Sequence, residues 1–192
     1  MRALLFLLIL LFGLSSYFIG VKEILAGKYA PSVFSRIVWL LLAIISFASV
    51  LAIDSTKASV VLAGILLVGN ASICFTSFWK GTKEWGRLEY VCLSILVISG
   101  LVLVLFKAPL VSLAIGLFAH FIGAIPTYKR VLTKPESEST GFWSLFFVAS
   151  VLSVIASLNQ PLRLVIFPIY FTFFDGSMTF LSMRKKSSNS SN

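Results

Sequence analysis

The sequence predicts an all-α integral membrane protein, with seven transmembrane helices arranged as two parallel three-helix repeats joined by a linker helix. Three observations lead there. Hydrophobic residues make up 58% of the 192 residues, charged residues only 12%, and the mean hydropathy is +1.00; soluble domains are about half apolar and about a quarter charged. The apolar residues fall into seven runs, each near the ~20 residues that cross a hydrocarbon core ~30 Å thick. Residues of the second and third runs recur in the sixth and seventh.

A chain facing lipid must satisfy its own N–H and C=O groups, so runs of this length are read as helices. A barrel would show short alternating strands instead. The first run, 3–20, is leucine-rich and follows Arg2. A cleaved leader has similar features, but the run reaches spanning length and Gly20-Val21-Lys22 offers no A-x-A-like site. It is read as the first span. Run 33–53 follows Pro31, a residue tolerated at a helix start. Run 59–79 ends beside the charged stretch 80–87, and run 89–106 has no counterpart elsewhere, which makes it the linker. Run 108–126 is closed by Pro126, and run 141–158 follows Pro135 as the second follows Pro31. Run 164–183 contains Pro168, which removes a backbone donor and predicts a kink. The chain thus divides into a first repeat (1–86), a linker helix (87–107), a second repeat (108–186) and a polar, disordered tail (187–192).

The repeat is read residue by residue. Pro31, Ser35 and Trp39 are spaced as Pro135, Ser139 and Trp143. In the same register Ser46, Ser49, Val50 and Ala52 match Ser150, Ser153, Val154 and Ala156. One residue further apart, Asn70-Ala71-Ser72 matches Asp175-Gly176-Ser177, and Phe75, Ser77 and Lys80 match Phe180, Ser182 and Lys185. The first and fifth runs agree mainly in length. One unpaired helix lets both repeats cross in the same sense, and parallel repeats about an axis along the membrane normal occur among transporters.

Charge supplies an orientation. Arg2, Lys57, Lys107 and Arg163 fall on the side of the N-terminus, and the other twelve basic residues fall on the opposite side. Short loops rich in Lys and Arg stay in the cytoplasm, so the N-terminus is expected outside and the C-terminus in the cytoplasm. The net charge of +9 is explained by this division without a nucleic-acid partner. Attraction to anionic membrane lipid is a consequence.

With this three-plus-one-plus-three order and an outside N-terminus, the chain resembles the SWEET and PQ-loop superfamily of small-solute carriers. Those proteins carry Pro-Gln near the inner end of the first helix of each repeat; here Pro126-Thr127 keeps the proline alone, and Ile19-Gly20 keeps neither residue. The stretch Pro126-Thr127-Tyr128-Lys129, followed by Lys134 to Ser139, is similar to the same loop of small bacterial membrane proteins of this topology. That likeness implies a bacterial inner membrane. In SWEET carriers paired asparagines on the third and seventh helices line a central pocket, and Asn70 and Asp175 occupy the matching places. The resemblance therefore implies a pocket between the repeats, with one amide replaced by an acid.

The residues themselves point the same way. An aspartate at a helix centre costs about 2.5–3.5 kcal/mol on insertion scales, so Asp175 needs a partner or a wet cavity. The functional reading is a substrate or proton site, and the bland one is an acid that holds helices together. Asn70 is either its amide twin in substrate binding or packing glue. His120 is the only histidine; imidazole titrates near neutrality and would exchange protons with Asp175 if their helices face each other. Trp39 and Trp143 lie about one turn inside the cytoplasmic ends, where tryptophan anchors at the interface or else lines the pocket. Trp79 and Trp85 read as interfacial. Ser46 and Ser150 recur symmetrically, either to let helices approach closely or to face the pocket. Cys74 and Cys92 read as small core residues, with no disulfide framework and no metal site.

The expected function is carriage of a small polar or cationic solute by alternating access. The alternative is a receptor or assembly scaffold acting through its cytoplasmic loops, above all 129–138. An enzyme is not expected: there is one histidine and no gathered nucleophile, base and acid. The absence of an H-E-x-x-H, Walker A or glycine fingerprint speaks against a cofactor. An apolar surface is required by lipid in any case, so a homo-oligomer stays open.

Overall fold

The computed structural model describes residues 2–28, 31–53, 56–83 and 86–184; Trp85, Lys185, Lys186 and the tail 187–192 lie outside the described residues. The described residues form seven α-helices and no strand: α1 (Arg2–Leu25), α2 (Val33–Ala52), α3 (Lys57–Lys80), α4 (Arg87–Leu105), α5 (Pro109–Thr133), α6 (Thr140–Ala156) and α7 (Leu162–Met183). Six of them are long and apolar enough to cross a membrane, and α6, at 17 residues, is shorter. Large apolar side chains such as Leu7, Phe18, Val104, Phe118 and Phe173 are exposed on the outer faces, as suits an integral membrane protein in contact with lipid. Hydroxyls on exposed faces bond their own helix: Ser72 donates to the Val68 carbonyl (2.9 Å) and Ser94 to the Tyr90 carbonyl (3.0 Å).

Local chemistry sets the helix ends. Ser32, Thr56 and Ser139 cap α2, α3 and α6, their hydroxyls accepting from the backbone N–H of Ser35, Ser59 and Phe142. Ser139 stands just outside α6, whereas its sequence match Ser35 lies within the first turn of α2. In the shared register α6 therefore starts later than α2, which accounts for its shortness. α1 runs past the expected end at residue 20 to Leu25, and Gly27, in the left-handed region at φ 70°, closes it, with Lys28 N–H donating to the Glu23 carbonyl at 3.0 Å. Pro126 does not end the fifth span. α5 continues through it to Thr133, since a missing helical bond is tolerated beside a polar cavity, and Pro126 borders one. The stretch 129–138 is correspondingly ordered. Its first residues belong to α5, Pro135–Ser137 form a 3-10 turn, and the buried Glu138 pairs with Arg130 at 2.5 Å.

In the packing, α3 lies between α1 and α2, while α7 packs on α6 and more lightly on α5. α1 packs on α6, and α2 packs on α5. These six helices close a ring, and α4 leans on it from outside against α5 and α2. Arg184 donates to the Val131 and Leu132 carbonyls at the end of α5, a favourable place for a cation.

α7 stays helical through Pro168. The proline has no N–H for the carbonyl four residues back, that of Leu164. Ser59, at the start of α3, fills the gap by donating its hydroxyl to the Leu164 carbonyl at 3.1 Å. Thr56 ties this corner further, with its hydroxyl 2.9 Å from that of Ser59 and 2.8 Å from that of Ser157. An unpaired buried carbonyl costs about 1–3 kcal/mol. Ser59→Ala should therefore lower thermal stability by about that amount, while Ser94→Ala on an exposed helix face should not. Equal unfolding temperatures for the two variants in detergent would contradict the assignment.

Candidate functional site

Inside the ring, polar side chains from several helices find one another. Asn70 on α3 is 3% exposed, and its amide donates to the Tyr17 hydroxyl (3.1 Å) and the Leu66 carbonyl (2.9 Å). Tyr17 on α1 reaches it because residue 69 is glycine, where an added Cβ would fall inside the tyrosine ring. Phe142 and Phe146 of α6 hold that ring edge-on at 5.3 and 5.4 Å. Asp175 on α7 is 1% exposed, and Ser150 on α6 donates to its Oδ2 at 2.9 Å. Such a hydrogen bond stabilises a carboxyl group that has been removed from water.

His120 on α5 places Nδ1 2.7 Å from the Tyr170 hydroxyl. Its ring lies 5.0 Å from Trp39 and 4.5 Å from Phe174. Phe174, the neighbour of Asp175 in sequence, also packs edge-on against Trp143 at 5.6 Å.

Two cavities adjoin Trp39, Asn70 and His120, and neither is lined by Asp175 or Ser150. The inner one, about 10 Å³, is lined by Trp39, Leu42, Ala43, Ser46, Leu66, Asn70, His120, Phe167 and Phe171, and has room for about one water. The Ser46 hydroxyl on its wall is buried and has no hydrogen-bond partner among the described residues. The second is a vestibule of about 130 Å³, lined by Ser32, Ser35, Arg36, Trp39, Glu89, Gly123, Pro126, Thr127 and Arg130. It lies at the end of the bundle where α2 and α4 begin and α5 ends. Trp39 belongs to both walls and so stands between the two spaces. At the opposite end, hydroxyls close the seams. Thr56 and Ser59 meet Ser157 and the Leu164 carbonyl, and Ser112 bonds both Ser49 (3.3 Å) and Ser99 (3.1 Å).

Of the residues singled out from sequence, Trp39, Ser46, Asn70 and His120 share the inner cavity. Ser150 and Asp175 share a hydrogen bond. The two groups are not joined by one: Asn70 turns to Tyr17 and His120 to Tyr170, and neither bonds Asp175. Interfacial anchoring does not describe Trp39 or Trp143. Both are buried, Trp39 beneath the Arg36 guanidinium at 4.9 Å and Trp143 donating its indole N–H to Glu138 at 3.3 Å. Trp79 is exposed, as an interfacial residue would be. Cys74 and Cys92 are free and buried. Among the described residues no group of His, Cys, Asp and Glu has the make-up of a metal site.

Sequence reasoning missed Tyr17, Tyr170, Arg36 and Glu89. Tyr17 had a signal, since it closes the polar triplet Ser15-Ser16-Tyr17 in an apolar run. Arg36 precedes Trp39 by one helical turn, a spacing that brings side chains together.

No protein-family model, curated protein or solved structure matches the chain.

The fit of Tyr17 against Gly69 makes a sharp prediction. Gly69→Ala should cost about 1–3 kcal/mol of stability through overpacking, and should cost almost nothing on a Tyr17→Ala background. Thermal unfolding of the four proteins in a double-mutant cycle reads the coupling; additive effects would show that the ring does not rest on residue 69.

Proposed function

We propose that the chain is a carrier of a small polar or cationic solute that works by alternating access of two parallel repeats, α1–α3 and α5–α7, with α4 as linker and α6 as the seventh crossing. The observation that carries this reading is the inner cavity. Side chains of α2 and α3 meet those of α5 and α7 there, around a buried hydroxyl, Ser46, that lacks a partner among the described residues. In this conformation the space admits about one water, and a solute would supply that partner once rocking of the repeats widens it.

Two further features support it. Exchanging α1 with α5, α2 with α6 and α3 with α7 carries the ring of neighbours onto itself: the α1–α6 contact becomes α5–α2, and α3 between its partners becomes α7 between its own. Ser46 and Asn70 share a cavity wall, and the residues matched to them in sequence, Ser150 and Asp175, share a hydrogen bond. The likeness to SWEET and PQ-loop carriers agrees with such an arrangement. In a bacterial inner membrane with the N-terminus outside, the vestibule faces the cytoplasm and the hydroxyl-bonded seams face out, so this conformation is inward-facing. Asp175 then receives the cationic group of the solute or cycles a proton, and transport requires the Thr56–Ser157 seam to part.

The test is counterflow in proteoliposomes, with a mixture of amino acids, choline, polyamines and monosaccharides and mass-spectrometric readout. Removing a charge-assisted hydrogen bond, worth about 1.5–3 kcal/mol, should slow uptake by at least about tenfold. Asp175→Asn is expected to do so without reducing the amount of folded protein. Undiminished uptake by Asp175→Asn rejects the role given to the acid and returns the chain to the scaffold reading.

A further inference from the structure

The vestibule carries charge of both signs, and the central chemistry uses none of it. Arg36 is buried within α2 and lines the vestibule. Its planar fork matches a carboxylate with two parallel hydrogen bonds, which a lysine ammonium does not offer. Ser32 and Ser35 flank it in the first turn of α2, an end of the helix dipole that favours an anion. A second guanidinium, that of Arg130, lies on the same wall and is held by Glu138. The counter-charge comes from the linker helix: Glu89 of α4 lines the cavity and accepts the Ser35 hydroxyl at 2.8 Å. At about 130 Å³ the space is roughly ten times the ~10–15 Å³ that one water requires, so it takes a solute of several heavy atoms.

From this geometry we infer that the vestibule is a binding site for a small zwitterion of the amino-acid kind. Its carboxylate lies toward Arg36 and the start of α2, and its ammonium lies toward Glu89. A simple amine meets two guanidiniums there, and a simple acid meets Glu89, so neither is held as well as the molecule that carries both charges. The solute waits on the near side of Trp39, whose ring separates it from Ser46, Asn70 and His120. The inference deepens the carrier reading and rests on it for the passage of the bound solute inward; the binding itself is independent of transport. It also gives α4, the helix without a counterpart, a part in recognition.

The experiment is equilibrium binding of radiolabelled L-alanine to the purified full chain in detergent, with unlabelled L-alanine, propionate, ethylamine and glycerophosphoethanolamine as competitors. L-Alanine should compete at least about tenfold better than propionate or ethylamine. Glu89→Gln, which keeps an acceptor for Ser35, should weaken binding about tenfold, and Arg36→Gln should weaken it further, while Ser94→Ala on the exposed face of α4 leaves it unchanged. Because Arg36 is buried and its variant is at risk of misfolding, Glu89→Gln alone decides. No saturable binding of L-alanine, or binding indifferent to Glu89→Gln, overturns the proposal. Binding abolished by Asp175→Asn and untouched by Glu89→Gln also overturns it, moving the site to the centre and leaving the carrier reading standing. If glycerophosphoethanolamine competes ahead of L-alanine, the vestibule belongs to a lipid headgroup, and the proposal falls.

Discussion

A polar group carried into the interior of this bundle has no solvent to bond, and the seams between helices lie where such groups find partners instead. Pro168 frees the Leu164 carbonyl, and Ser59 of α3 takes it. Asn70 joins α3 to α1 through Tyr17, Asp175 joins α7 to α6 through Ser150, and His120 joins α5 to α7 through Tyr170. Each bond ties two helices that apolar packing alone would leave free to rotate, because lipid tails are as apolar as leucine. Among the described residues five buried hydroxyls, those of Ser16, Ser46, Ser137, Ser153 and Thr179, lack such a partner, and of these Ser46 lines the inner cavity.

The matched residues of the two halves are not chemical equals. Trp39 lies beneath a guanidinium, whereas Trp143 donates to a carboxylate. Asn70 answers to a tyrosine hydroxyl, whereas Asp175 answers to a serine. The same helical frame thus holds a neutral amide on one side of the centre and an acid on the other.

The helices were legible because length and hydropathy need no tertiary knowledge. The ends of α1 and α5 were read too short for a physical reason. Lys22 and Lys129 look like loop residues, yet both lie within the helices, near their C-terminal ends, where a cation suits the dipole. The match of Asn70 with Asp175 rests on spacing in the sequence. The partner each side chain bonds was not legible there, because that depends on how α1 and α6 are rotated about their axes, and no local pattern encodes it. Arg36 was counted only as a topological charge, since nothing near it in sequence foretells burial beside α4 and α5. Gly69 could be understood only once the Tyr17 ring stood against it.

The lateness of the Ser139 cap has an effect outside the protein. With 17 residues at ~1.5 Å each, α6 spans about 25 Å, several ångströms less than the ~30 Å core of an average bilayer. In the seven-crossing arrangement proposed above, the surrounding acyl chains compress beside this helix, at a fraction of a kcal/mol for each ångström. A thinner membrane relieves that compression. In that arrangement bilayer thickness acts on one side of the molecule more than the other, and lipid chain length becomes a variable felt first by α6 and by α7, which packs on it.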